Sequence, residues 1–226
     1  MRTKMKKILM TVIALGISAI TFGQITKNVG DFDTVKVYDR IVVNLVKSDE
    51  NKVVISGADA SQVQVVNKDG KLKIRMEIGL IFDGNNTFVN VHYTNLRIID
   101  GNEGAEITSN ELIEQDEIEI KMQEGAQIEV GLKVKKANMR AVTGGIIEVS
   151  GLAGEQDVTV NTGGIYEGRD FETQDAKVFV QAGGEVEVYA SEKVDITIRA
   201  GGDVDVYGKP SEVKRRRTFG GRIRIL

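Results

Sequence analysis

The chain has 226 residues, 41% of them apolar, with 25 Gly, one Pro, one His and no Cys or Trp. That length and apolar content suffice for one extended domain with a core. The missing Cys and the single His exclude disulfides, zinc-type metal sites and Cys-His or Ser-His nucleophile systems, and the balance of 30 Lys and Arg against 33 Asp and Glu gives a net charge of −3.

Arg2, Lys4, Lys6 and Lys7 precede a mostly apolar run from Ile8 to Ile20, followed by small residues around Thr21 and Gly23. This predicts a secretory signal peptide over residues 1–23 with cleavage near Gly23–Gln24, because a run of 13 residues is short for a membrane span. The exported chain then keeps no transmembrane segment and has no N-terminal cysteine to carry a lipid. Without the leader, 26 basic residues face 33 acidic ones, a balance of −7. So acidic a chain does not suit a phosphate backbone, and nucleic acid is excluded as a partner.

Residues 24–100 contain strand-like runs at "TVKVYD", "RIVVNLV", "KVVISG", "QVQVVN" and "KLKIRME". "NKDGK", around Asp69-Gly70, predicts a hairpin turn. We read this region as an N-terminal β cap with the first coils, continuous with residues 101–226 in one domain; a separate sandwich domain is the alternative. His92, in "FVNVHYT", falls on the solvent side of its strand by alternation.

From residue 101 the chain carries seven glycine marks: Gly104-Ala105, Gly125-Ala126, Gly144-Gly145, Gly163-Gly164, Gly183-Gly184, Gly201-Gly202 and Gly220-Gly221. Successive first glycines differ by 21, 19, 19, 20, 18 and 19 residues, a period that signals a solenoid. After the marks apolar residues alternate with polar ones, as in Ile128 and Val130, Ile147 and Val149, or Val204 and Val206. The same two-residue rhythm precedes the marks, as in Val158 and Val160 or Val194, Ile196 and Ile198. Period two with β-branched residues means strands with one face inward. A second bend is expected around polar stretches such as "SGLAGEQD", and helix content should be close to nil. Stacked at ~4.8 Å per rung, the units bury a continuous aliphatic column. The fold predicted is all-β, a single-stranded parallel β-helix (β-solenoid) with coils of ~19 residues and an irregular N-terminal β cap.

Stacking also aligns Glu129, Glu148, Glu167, Glu187 and Asp205 on the outward face as an acidic ladder. Two readings stay open: a solvated face, or a strip for divalent cations, which favour carboxylate oxygens. Arg222 and Arg224 stand one coil beyond Asp203 and Asp205 and would close the ladder with opposite charge. In "KRRR", Lys214–Arg217, Arg215 and Arg217 occupy normally inward positions, where charge discourages strand addition to the open end. Tyr166 falls at an inward position as core filler.

The "FDTVKV" opening, "KVVISG" followed by "GKLKIRM", the serial Gly-Gly-x-[Val/Ile] marks and "VYGKP" (Val206–Pro210) resemble the auto-transporter adhesin, head GIN domain family over nearly the whole exported chain. The resemblance implies export by a Gram-negative bacterium and a short, right-handed parallel β-helix; it brings no catalytic, binding or cofactor residues. One departure is that the first two marks are Gly-Ala, which implies a different turn in the first coils.

No catalytic residues, cofactor or metal are assigned. The function expected is an exported binding or structural protein of the cell envelope, in the periplasm, at the outer membrane or outside the cell, presenting polar faces to a polymer or protein partner. The alternatives are a glycan-active lyase or hydrolase of β-helix type, using paired carboxylates, and a periplasmic scaffold or sensor. Short, nearly uniform repeats leave no long loops to wall a cleft, which argues against the enzyme.

Overall fold

A computed structural model of the protein describes residues 24–226, so the predicted leader lies outside the described residues. The first strands are β1 (Ile25–Asn28), β2 (Thr34–Val37), β3 (Val42–Lys47) and β4 (Lys52–Gly57), followed by a 3-10 turn at Ala60–Gln62. Next come β5 (Val63–Lys68), β6 (Lys71–Met76), β7 (Thr87–Tyr93), β8 (Ile98–Gly101) and β9 (Glu106–Ser109). The repeats supply β10 (Ile113–Gln123), β11 (Gln127–Val142), β12 (Ile146–Asn161), β13 (Ile165–Gly168) and β14 (Phe171–Ala182). They continue through β15 (Glu185–Tyr189), β16 (Lys193–Ala200), β17 (Asp203–Tyr207), β18 (Glu212–Phe219) and β19 (Arg222–Ile225). All are hydrogen-bonded into one sheet, wound as a parallel β-solenoid of about 7 turns of roughly 19 residues.

Alternation produces the core directly. Ile128, Ile147, Tyr166, Val186 and Val204 lie in register on successive rungs, all pointing inward. Ile120, Met139, Val158, Val178 and Ile196 do the same from the facing wall. Each such side chain is stabilising by about 1.5–3 kcal/mol of apolar burial, which offsets the entropy cost of ordering a chain with almost no local helix propensity.

The predicted second bend does not end a strand in the middle coils, although it does between β15 and β16 and between β17 and β18. β10, β11, β12 and β14 run through it, with pairing interrupted only at Asp116, Lys135, Gly154 and Gln174. At the glycine corners, the first four marks share one turn: Glu103-Gly104, Glu124-Gly125, Thr143-Gly144 and Thr162-Gly163 are all left-handed, φ between 49° and 76°. A backbone bond from the next residue closes each turn, for example Ala105 N to Asn102 O at 3.1 Å and Gly145 N to Val142 O at 3.0 Å. The expected difference at the Gly-Ala marks is therefore absent. The change comes at Gly183-Gly184, where both glycines turn to positive φ (68° and 126°) and the residue before them does not.

The N-terminal coils are not stacked in chain order. β2 lies between β6 and β8, and β3 lies between β7 and β9, all parallel. The chain thus lays down an inner rung first, loops outward, and returns beneath it. Outside the β6–β7 rung the pairing turns antiparallel, with β5 on β6 and β1 on β4 on β7. The β5–β6 hairpin turns at Asp69-Gly70, both at positive φ, as the sequence predicts.

At the other end β18 and β19 are the last rungs. Arg215 and Arg217 register beneath Ile196 and Ile198, so charge does occupy inward positions there, and both are exposed. Arg217 Nη1 donates to Gly221 O at 2.9 Å.

Candidate functional site

β11, β12, β13, β15 and β17 bring the five predicted acidic residues into one column, Glu129↔Glu148↔Glu167↔Glu187↔Asp205. The column continues upward to Thr108 and Asn44 and downward to Arg224. Position parity fixes this: each residue lies between two inward neighbours, aliphatic except for Tyr166 and Gly168 around Glu167, so its side chain is directed outward.

The five do not act alike. Glu129, Glu148, Glu167 and Glu187 line a groove of about 520 Å³ along the wall, with Thr108, Ser109, Ser150, Arg169 and Asp170 among its other lining residues. Asp205 is outside the groove, buried, and held by Arg224, whose Nε lies 2.5 Å from its Oδ1. Arg222 likewise holds Asp203 at 2.7 Å, so the two arginines do close the ladder with opposite charge.

Neighbouring carboxylates one rung apart repel by about 0.8 kcal/mol per pair at ~5 Å in bulk water. The consequence shows at Glu148, whose carboxyl is pushed above the ordinary range, first by partial burial and then by Glu129, Glu167 and Asp170 around it. Among the described residues only the lower end is compensated: Arg169 Nη2 bonds Glu187 at 2.9 Å and the Tyr207 hydroxyl at 2.7 Å, and its guanidinium stacks 4.6 Å from the Tyr207 ring. Glu187 raises the Arg169 pKa further.

Sequence reasoning missed Arg169 and Asp170. The signal was Gly168, a glycine at an inward strand position: a Cβ there would lie 2.4 Å from the Tyr166 ring. Tyr166 is more than filler. Fully buried, its hydroxyl donates to Gln156 Oε1 at 2.6 Å, and Gln156 Nε2 donates to Thr173 Oγ1 and to Tyr189 O at 2.8 and 2.9 Å. This interior polar chain fixes β13 from inside, directly beneath Glu167 and Arg169. Burial raises the Tyr166 pKa strongly, so the hydroxyl stays protonated as a donor.

The wall that carries Met139, Val158 and Val178 treats its charges differently. Its outward column reads Asn138↔Asp157↔Lys177↔Asp195↔Lys214, alternating in sign. Asp157 meets Lys177 at 3.5 Å and Asp195 meets Arg216 at 2.9 Å.

The groove can accept hydrogen bonds along its length and attract cationic groups. Among the described residues, no group of three or more His, Asp or Glu is placed to hold a metal ion. His92 lies on the outward side of β7, its pKa lowered mainly by burial, remote in sequence and rung from the groove.

Solved structures share this fold. A "putative adhesin" from Bacteroides fragilis NCTC 9343 superposes with a TM-score of 0.82 at 17% identity, covering 90% of this chain and 97% of that one. A "putative adhesin" from Parabacteroides distasonis ATCC 8503 gives 0.75 at 17% identity, covering 90% and 96%. A "putative lipid binding protein" from the same organism gives 0.63 at 15% identity, covering 89% and 96%. No curated protein matches the chain. Over residues 31–210 the sequence fits the profile of one family, so the chain belongs to the family described as "Putative auto-transporter adhesin, head GIN domain".

Proposed function

We propose that the protein is an exported, non-enzymatic binding protein of the cell envelope, and that its acid-lined groove is the binding face. One observation carries this reading. The two outward walls face the same stacking problem, and one alternates its charges while the other repeats a carboxylate on four successive rungs. Core packing does not dictate that choice, since the inward neighbours of both columns are uncharged and mostly aliphatic. A like-charged stack costs stability in the free protein and returns it when a partner neutralises it. The partner class is a polymer or protein carrying spaced cationic groups or hydroxyl donors, laid along the solenoid axis. Family membership and the adhesin-described neighbours support an adhesin-like role.

The experiment is an array of basic, neutral and acidic polysaccharides and basic peptides, probed with the exported chain and with a Glu148→Gln/Glu167→Gln variant. Binding to a cationic member that falls roughly tenfold or more in the variant supports the groove. Binding unchanged by the variant refutes it. Reducing-end and unsaturated-uronate assays on the same panel test the glycan-active alternative, and turnover abolished by Glu148→Gln would replace this reading with an enzyme.

A further inference from the structure

The cap end of the solenoid has a surface of quite different chemistry. In the β5–β6 ribbon, Gln64 pairs with Arg75, Val66 with Lys73 and Lys68 with Lys71, so these six side chains share the outward face. Lys36, on the next rung inward, is bound to Asp100 at 2.5 Å. By contrast, Lys68, Lys71 and Lys73 have no ion pair among the described residues, and Arg75 Nε is buried without a hydrogen-bond partner. Val66, among these cations, is 54% exposed.

The ribbon leads into the loop "EIGLIFDG", Glu77–Gly84, which replaces a glycine corner between β6 and β7. Three of its apolar side chains point away from the core, Ile78 being 81% exposed, Phe82 50% and Ile81 43%, while Leu80 packs partly against it. Gln64, Glu77, Ile78 and Leu80 line a recess of about 510 Å³ where ribbon and loop meet.

The loop is anchored in this posture. Buried Asp39 accepts from Met76 N at 2.9 Å and from Phe82 N at 3.2 Å, and its own carbonyl accepts from Gly84 N at 2.9 Å. Phe82 is thereby held at φ 67°, a conformation a bulky residue rarely adopts. A strained backbone that turns aromatic and aliphatic groups into solvent needs a partner to cover them.

We propose that this end docks on an anionic lipid surface, with Ile78, Ile81 and Phe82 entering the interface and Lys68, Lys71 and Lys73 meeting headgroup phosphates. Apolar side chains at a tip, with cations on a flat face beside them, are the two signals that together hold a protein at a membrane surface. The acidic residues nearby do not cancel them: Asp39 is committed to the loop backbone, Asp69 lies at the hairpin turn, and Glu77 and Asp83 flank the apolar run. The opposite charge of cap and groove orients the molecule, groove away from the surface. This inference is independent of what the groove binds.

The test is co-sedimentation of the exported chain with vesicles of phosphatidylcholine alone and of an equal mixture with phosphatidylglycerol. Binding is expected to the mixture only, weakening steeply as salt screens the headgroups. Ile78→Asp and Lys71→Glu/Lys73→Glu should each lower it roughly tenfold or more, with an unchanged melting midpoint because these side chains are exposed. Glu148→Gln should bind as well as the parent. No binding, equal binding to both vesicles, or full binding by either cap variant overturns the proposal. So does a dimer, seen by light scattering, that Ile78→Asp dissociates, since that assigns the patch to a second copy.

Discussion

Replacing Tyr166 by Phe removes a single oxygen from the interior, and its cost follows from the bonds that oxygen makes. The hydroxyl is the donor to Gln156 Oε1 at 2.6 Å, and Gln156 is itself buried, with its Nε2 already committed to Thr173 and Tyr189. No water reaches the orphaned acceptor without opening the stack. The loss is therefore that of a buried unsatisfied acceptor, about 1–3 kcal/mol. For a chain of this size that lowers the melting midpoint by roughly 2–12 °C, with about 2–4 °C per kcal/mol. Calorimetry and urea denaturation would measure it, and a cycle with Gln156→Ala should return a coupling of about 1 kcal/mol or more. A Tyr166→Phe protein within about 0.3 kcal/mol of the parent, or additive single substitutions, would refute the claim that this polar chain holds β13 under the groove.

Acidification from neutral pH should first raise the melting midpoint. Glu148 and Glu103 have carboxyls raised in the fold, both primarily by burial, so the folded state gains stability as pH falls through those values and loses it as pH rises. Asp33, held low by its bond from Thr34, contributes stability above its ordinary pKa that disappears at lower pH, so the midpoint should then fall. Glu148→Gln should shrink the initial rise; a steady fall from pH 7 would contradict the sign. Gly164→Ala should destabilise by about 1–3 kcal/mol or more, because its Cβ would lie 2.2 Å from Ala141 O in the rung above. Gly144→Ala has nothing within 4 Å and should cost only the left-handed φ, about 1–2 kcal/mol. Arg215→Val/Arg217→Val should promote end-to-end association at high concentration, read by light scattering, since both register beneath the aliphatic column at the open edge.

Much of this molecule could be read from one dimension because its rungs are local and periodic. Alternation assigns Ile128 inward and Glu129 outward wherever the strand lies, and a period near nineteen places Glu148 beside Glu129, so the acidic ladder and its closure by Arg224 needed only counting. The Asp69-Gly70 hairpin was equally legible, since its turn geometry depends on two residues. What sequence order could not express is the insertion of β2 and β3 between later strands, because strand pairing there is decided by which apolar faces cover the end of the column rather than by chain proximity. For the same reason the pairing of Tyr166 with Gln156, the shelter of Asp205 outside the groove, and the meeting of the β5–β6 cations with the Ile78–Phe82 loop exist only in the folded chain. Periodicity determines the rung; the ends of the stack, where the period breaks, are settled by three-dimensional burial alone.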